Sequence, residues 1–232
     1  MQSRHLVLIP GLLCTQNLYA AQIAALGGEV AIQVADHTRS DTMPAIAADV
    51  LAAAPERFAL AGLSMGGYVA LEVMRLAPER VERLALIDTS ARPDTPEQTE
   101  NRKRLVAIAE KKGIEVPARD MYPKLVAPVR ADDATLQAAF FTMAAAIGSA
   151  GFARQQTAIA GRSDSRPSLP AIGCPTLVLV GEADQLTPPA MAEEMAAAIG
   201  SSRLAVIAGS GHLSPLEAPA AVTAELRKWL AA

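Results

Sequence analysis

Gly62-Leu63-Ser64-Met65-Gly66-Gly67 sets one serine between glycines placed two residues before and two residues after it. A serine hydroxyl is a poor nucleophile until a nearby base takes its proton. It must also stand clear of the backbone, which requires a sharp, crowded turn. Gly62 and Gly66 remove the side chains that such a turn would trap. The bare pattern is common, but its setting is specific. An apolar strand-like run, Phe58–Leu63, leads in, and a helical pattern, Met65–Leu76, leads out. Ser64 is therefore a candidate nucleophile for acyl transfer, and the bland alternative is a glycine-rich turn without chemistry.

The base must be sought among three histidines, His5, His37 and His212. His5 opens the first apolar run and reads as a strand-end residue. His37, in Ala35-Asp36-His37-Thr38, reads as a polar loop residue that could rim a pocket. His212, in Gly209-Ser210-Gly211-His212, follows the last apolar run, and its small neighbours allow a close approach to Ser64. It is the preferred base. An acid should then orient the imidazole. Asp184 follows the run Thr176–Val180 and Asp88 follows Leu84–Ile87, so both stand where a strand ends. Both give the order serine, acid, histidine. Asp184 is preferred because the next element supplies the histidine loop, with Asp88 kept as the rival and Glu182 read as solvated.

Developing negative charge on a carbonyl oxygen calls for two fixed donors. The N–H of Met65, at the start of the helical pattern, is one candidate. The N–H of Leu12, in Pro10-Gly11-Leu12-Leu13, is the other. Cys14 stands beside that loop and Cys174 before a strand, but neither occupies a comparable turn. No spacing of Cys and His suits a zinc site.

These residues need elements to hold them. Six short apolar runs alternate with helix-length segments: His5–Ile9, Val30–Ala35, Phe58–Leu63, Leu84–Ile87, Thr176–Val180 and Leu204–Ile207. Runs that are apolar throughout suit strands covered on both faces, as in a parallel sheet. Helical patterns follow at Thr42–Ala53 (with Asp41 as a possible cap), Met65–Leu76, Pro188–Ile199 and Ala220–Leu230. Residues 92–168 break the rhythm. Helical patterns there cover Glu97–Lys111, Ala134–Ile147 and Ala150–Ala160, punctuated by Pro117, Pro123 and Pro128. The expected division is a core of residues 1–91 and 169–232, with 92–168 as a helical cap over the carboxyl ends of the strands.

Composition narrows the partners. Hydrophobic residues are 51% of 232, but aromatics only 3%. A pocket walled by aliphatic side chains is expected, with Leu13, Tyr122, Phe140, Phe141 and Met143 as its conspicuous groups and Tyr68 in the core. The net charge of −3 and the lack of a basic stretch argue against nucleic acid. The start, Arg4 followed by Leu6–Cys14, is faintly leader-like. However, Pro10-Gly11 interrupts it and no small-residue cleavage site follows, so it reads as a buried strand. No run is expected to span a membrane. A cytoplasmic monomer or homodimer acting on a small-molecule acyl substrate is the expectation.

Four blocks together resemble the α/β-hydrolase fold with a helical cap. They are Leu8-Ile9-Pro10-Gly11-Leu12, Gly62–Gly67, Cys174–Gly181 through Asp184, and Gly211-His212 with Glu217 and Pro219 behind it. The resemblance implies a serine hydrolase of carboxylesterase type, with a Ser64–His212–Asp184 triad and Leu12 and Met65 as oxyanion donors. It implies no metal and no organic cofactor. Two departures stand out. Pro10 occupies a position where many relatives carry His, and the chain opens at what would be the third strand of a full family sheet. A mostly parallel sheet of about six strands is therefore expected.

Overall fold

The computed structural model describes residues 5–232, so Arg4 and the residues before it lie outside the described part. Six strands form one sheet: β1 (His5–Ile9), β2 (Ala31–Val34), β3 (Phe58–Leu63), β4 (Val81–Ile87), β5 (Thr176–Gly181) and β6 (Ser202–Ile207). Their order is β2-β1-β3-β4-β5-β6, and every adjacent pair is parallel. Strands β3 and β5 are buried along their whole length, whereas the edge strands β2 and β6 are partly exposed.

Continuous apolar runs are needed because both faces of the sheet are covered. Leu6, Leu8, Ala59, Ala61, Leu177 and Leu179 join one core; Val7, Ile9, Phe58, Leu60, Val178 and Val180 join the other. Alternate residues of each strand thus serve opposite cores. Helix α1 (Ala20–Leu26) and the C-terminal helix α9 (Pro219–Ala231) pack together and feed the first core. Helices α2 (Met43–Ala53), α3 (Met65–Leu76) and α7 (Pro189–Ala198) feed the second. The cap of α2 is Thr42, not Asp41: the Thr42 hydroxyl accepts from the Ala45 N–H at 3.3 Å.

Register places the chemistry at one edge. Ile9 aligns with Gly62, Leu63 with Ile87, Ile87 with Leu179, and Gly181 with Ile207. The loops carrying Leu12, Ser64, Asp88, Asp184 and His212 therefore all leave the same carboxyl edge. The chain runs outward from β1 to β2 and returns to β3 on the other side of β1. The crevice between β1 and β3 is the place where such sheets bind ligands.

Between β4 and β5 lie three helices, α4 (Pro96–Lys112), α5 (Glu115–Leu125) and α6 (Ala134–Ala160). Sequence pattern missed α5 because of its prolines. Pro117 sits in the first turn, where the missing N–H has no intrahelical partner to lose, and Pro123 sits in the last. The two helical patterns of residues 134–160 are merged across a kink at Gly148, whose φ is 67°. With 27 residues and an 18-residue stretch of mean hydropathy 1.4, α6 is long and apolar enough to cross a membrane by length and composition, contrary to expectation. Here it packs against α4 and α5.

Candidate active site

Ser64 is the residue between β3 and α3, and its φ of 52° and ψ of −113° are unusual for a side-chain-bearing residue. Such strain persists only where the surroundings enforce it. They do so here from both sides. A Cβ on Gly62 would overlap the Gly66 carbonyl, and one on Gly66 would overlap the Ile9 carbonyl. The turn is also tied down by two bonds, Ser64 N–H to Ile87 O at 2.9 Å and Thr89 hydroxyl to Ser64 O at 2.8 Å.

His212 is buried in the loop after β6. Its Nδ1 lies 2.8 Å from Oδ2 of Asp184, which is also buried. Asp184 is held in turn by the N–H groups of Leu186 (2.8 Å) and Thr187 (3.0 Å) on Oδ1, and by the Thr187 hydroxyl (2.7 Å) on Oδ2. Burial alone would raise the Asp184 carboxyl, but the His212 charge and hydrogen bond and the Thr187 donors outweigh it and hold it below its usual range. Burial alone would lower His212, yet the Asp184 carboxylate, aided by Asp88 and Glu217, carries it above 6.5. With Nδ1–H donating to Asp184, Nε2 offers its lone pair. Ser64 and His212 line the same cavity, with no hydrogen bond between them. Such contacts often tighten only around substrate.

Asp88 does not reach the histidine. Its Oδ1 accepts the Gly181 N–H at 2.8 Å, and its Oδ2 accepts the Ser214 hydroxyl. Burial and the neighbouring Asp184 charge push it up to about 8. Glu182 accepts the Gly209 N–H at 3.0 Å on the surface. Glu217, also buried, accepts the N–H groups of Ala127 (2.8 Å) and Gly211 (2.9 Å). It thereby joins the histidine loop to the chain end of α5.

The first-strand loop reaches Ser64 closely: a Cβ on Gly11 would sit 3.6 Å from the Ser64 Cβ. The Leu12 and Met65 N–H groups make no hydrogen bond among the described residues. Leu13, at φ 60°, is fixed by its N–H to Gln155 Oε1 of α6 at 3.1 Å. Gln155 Nε2 lies 3.0 Å from His37 Nε2, which lies 3.0 Å from the Gly11 carbonyl oxygen. His37 is thus a buried strut under this loop, not a polar surface residue, and burial keeps it below 6.5. Gln155 carried no sequence signal at all, because a glutamine in an alanine-rich helix looks like a solvated face.

The profile of the alpha/beta hydrolase family matches residues 6–226. The chain belongs to that family. This hydrolase is 34% identical to the thermophilic esterase of Thermogutta terrifontis, a structure with malate bound. The match has a TM-score of 0.91 and covers 99% of this chain and 90% of that one. It is 26% identical to the enol-lactonase of Burkholderia xenovorans LB400, with a TM-score of 0.90 and coverage of 100% and 93%. It is also 30% identical over 190 residues to BpoC of Mycobacterium tuberculosis, provisionally named a non-heme bromoperoxidase, across 79% of this chain and 71% of that protein.

The cavity beside Ser64 has a volume of about 370 Å³, and its wall corrects the expected one. None of Leu13, Tyr122, Phe140, Phe141 and Met143 lines it. Tyr122, Phe140 and Phe141 instead stack on one another between α5 and α6, with centroids 5.5–5.9 Å apart, and Leu13 and Met143 are fully buried. Large apolar side chains gain most by leaving water altogether, and they found one another. Tyr68, expected in the core, lines the cavity together with Leu12, Cys14, Leu105, Met121 and several charged groups. Burial pushes the Cys14 thiol up to about 12, so it is no thiolate. Among the described residues no three His, Cys, Asp or Glu side chains are grouped to hold a metal ion.

Proposed function

We propose that this hydrolase cleaves a small carboxylic ester through an acyl-enzyme, with helices α4 to α6 acting as the cap over the reaction. Ser64 gives its proton to His212 Nε2 and attacks the ester carbonyl carbon. The oxyanion is held by the N–H groups of Leu12 and Met65. The tetrahedral adduct collapses, His212 returns the proton to the departing alkoxide, and an alcohol leaves. Water, deprotonated by His212, then attacks the acyl-enzyme, and the carboxylic acid and free Ser64 result. Asp184 keeps His212 in the tautomer with Nε2 free.

The reading rests on one observation above all: a serine on a strained turn at a helix N-terminus shares a cavity with a histidine whose Nδ1 is bonded to a buried carboxylate. The unpartnered Leu12 and Met65 N–H groups add to it. Similarity to an esterase and an enol-lactonase supports an ester or lactone bond. The test is labelling with a fluorophosphonate, followed by turnover of p-nitrophenyl esters of increasing acyl length. Labelling should vanish in Ser64→Ala. Labelling that persists in that variant overturns the assignment.

Similarity to BpoC supports a second outcome for the same acyl-enzyme. Hydrogen peroxide replaces water, and a peracid leaves in place of the acid. Peracid formed during ester turnover in peroxide, absent in Ser64→Ala, would establish it.

A further inference from the structure

The cavity beside Ser64 is positively charged in a chain whose net charge is −3. Arg92, Arg102, Arg104, Lys124 and Arg162 line it, against one carboxylate, Asp120. Most of these cations are partly spent on protein groups. Arg92 is paired with Glu194 at 2.9 Å, and Arg104 with Asn101 and, at 3.8 Å, with Asp120. Arg102 and Arg162 share the buried carboxylate of Asp94. Among the described residues, Arg92 and Arg104 keep Nη1 without a partner but are about half exposed, whereas Lys124 keeps its whole ammonium group and Arg162 keeps a nearly buried donor. Lys124 makes no ion pair or hydrogen bond among the described residues. Arg162 uses Nε on the Arg92 carbonyl and Nη1 on Asp94 and the Ile159 carbonyl, which leaves Nη2 without a protein partner. Its side chain is only 7% exposed, and its guanidinium lies 4.3 Å over the Tyr68 ring. A nearly buried cation that lines the cavity and keeps one donor without a protein partner is suited to receive an anion.

We infer that the substrate carries a carboxylate, held by Arg162 Nη2 with Lys124 closing over it, at the end of a short acyl chain. This deepens the reading of Ser64 as an ester-cleaving nucleophile and rests on it. Chain length follows from α3, which opens at Ser64 and carries Tyr68, the ring against the Arg162 guanidinium. Tyr68 lies four residues along α3 from Ser64, roughly 6 Å of helix rise. A spacer of two to four carbons between the reacting carbonyl and the anion covers that span. The surplus of positive charge is small once Asp94, Glu194 and Asp120 are counted, which suits a monoanion.

The test compares kcat/KM for mono-p-nitrophenyl glutarate with that for p-nitrophenyl pentanoate, in which a methyl group replaces the carboxylate. The charged ester should be favoured at least tenfold at low salt, and the preference should shrink as salt screens the site. The ratio should fall towards one in Arg162→Gln and fall partway in Lys124→Gln, whose exposed side chain carries the comparison should the first variant not fold. A wild-type ratio at or below one, or a ratio unchanged in the variants, overturns the inference. Glutarate alone should raise the Tm of the wild type and not that of Arg162→Gln; no shift in the wild type also counts against the subsite. Ser64 labelled without any charge preference defeats the subsite alone. An unlabelled Ser64 defeats the proposed reaction, while the glutarate shift still reads the subsite.

Discussion

Asp184 holds His212 through one oxygen and the protein backbone through the other. Oδ2 meets Nδ1 at 2.8 Å, while Oδ1 takes the Leu186 and Thr187 N–H groups. The carboxylate therefore cannot swing away from the imidazole. In Asp184→Asn the amide oxygen keeps the two backbone donors, so the amide NH2 must face Nδ1. That donor pins the histidine in the tautomer with Nε2 protonated, which cannot take the Ser64 proton. We expect kcat to fall by on the order of 10³–10⁴ with the fold intact. Steady-state ester hydrolysis with a parallel melting curve measures this, and a loss under tenfold would remove Asp184 from the reaction.

The same pair sets the pH range. His212 must be neutral to act as base, and its pKa is raised above 6.5 by Asp184 against the pull of burial. Log kcat/KM should therefore climb with pH along a limb whose midpoint lies above 6.5, and it should level off beyond it. The raised value also means that the His212–Asp184 pair stabilises the folded state fully below pH 6.5 and loses that contribution as pH rises through the folded value. Kinetics from pH 5 to 9 decide the point; a midpoint below 6.5 would show that burial, not Asp184, governs the imidazole.

Much of this site is legible in the sequence. A strand, a crowded turn and a helix surround Ser64, and turns of that kind are written in glycines. His212 emerged because only three histidines exist. Asp184 was preferred over Asp88 only through its place before the histidine loop, since both end a strand on the same edge. What separates them is which way each loop turns: the oxygens of Asp88 are engaged by Gly181 and Ser214, 93 and 126 residues away in sequence. The pocket wall was illegible for a different reason. Composition counts aromatic residues but not what they pack against, so Tyr122, Phe140 and Phe141 formed their own cluster and left charged faces of α4 and α5 to line the cavity. Pro117 and Pro123 hid α5, because a proline reads as a breaker until its place in the helix is known.

Gln155 is expected to position the loop that carries Leu12, the proposed oxyanion donor. Its Oε1 fixes Leu13, directly after Leu12, from a helix more than a hundred residues away in sequence. Gln155→Leu fills the space but leaves the Leu13 N–H buried without a partner, which costs about 1–3 kcal/mol of stability. A loop displaced by a fraction of an ångström weakens the hold on the oxyanion more than on the neutral ester. The expected signature is a kcat reduced about tenfold or more with KM changed less than threefold. Equal effects on both constants, or loss of stability alone, would make Gln155 a packing residue only.

Asp88 gives a prediction with the opposite pH sense to an ordinary carboxylate. Burial first, and the Asp184 charge second, lift it from 3.8 to about 8. A group whose folded pKa is raised contributes its stability fully below the unfolded value and loses it as pH climbs through the folded one. The wild-type protein should therefore lose stability on this account between about pH 4 and pH 8, by on the order of a few kcal/mol. Asp88→Asn cannot ionise. Its amide oxygen still accepts the Gly181 N–H, and its NH2 can donate to the Ser214 hydroxyl. The difference in Tm between Asp88→Asn and wild type should grow in favour of the variant as pH rises from 4 to 9. Removing this charge also removes one of the influences that raise His212, so the limb of kcat/KM should shift to lower pH. Melting curves across that range together with the pH–rate profile test both consequences. A Tm difference that stays constant with pH would mean that Asp88 is ionised throughout, its charge carried by the Gly181 and Ser214 donors.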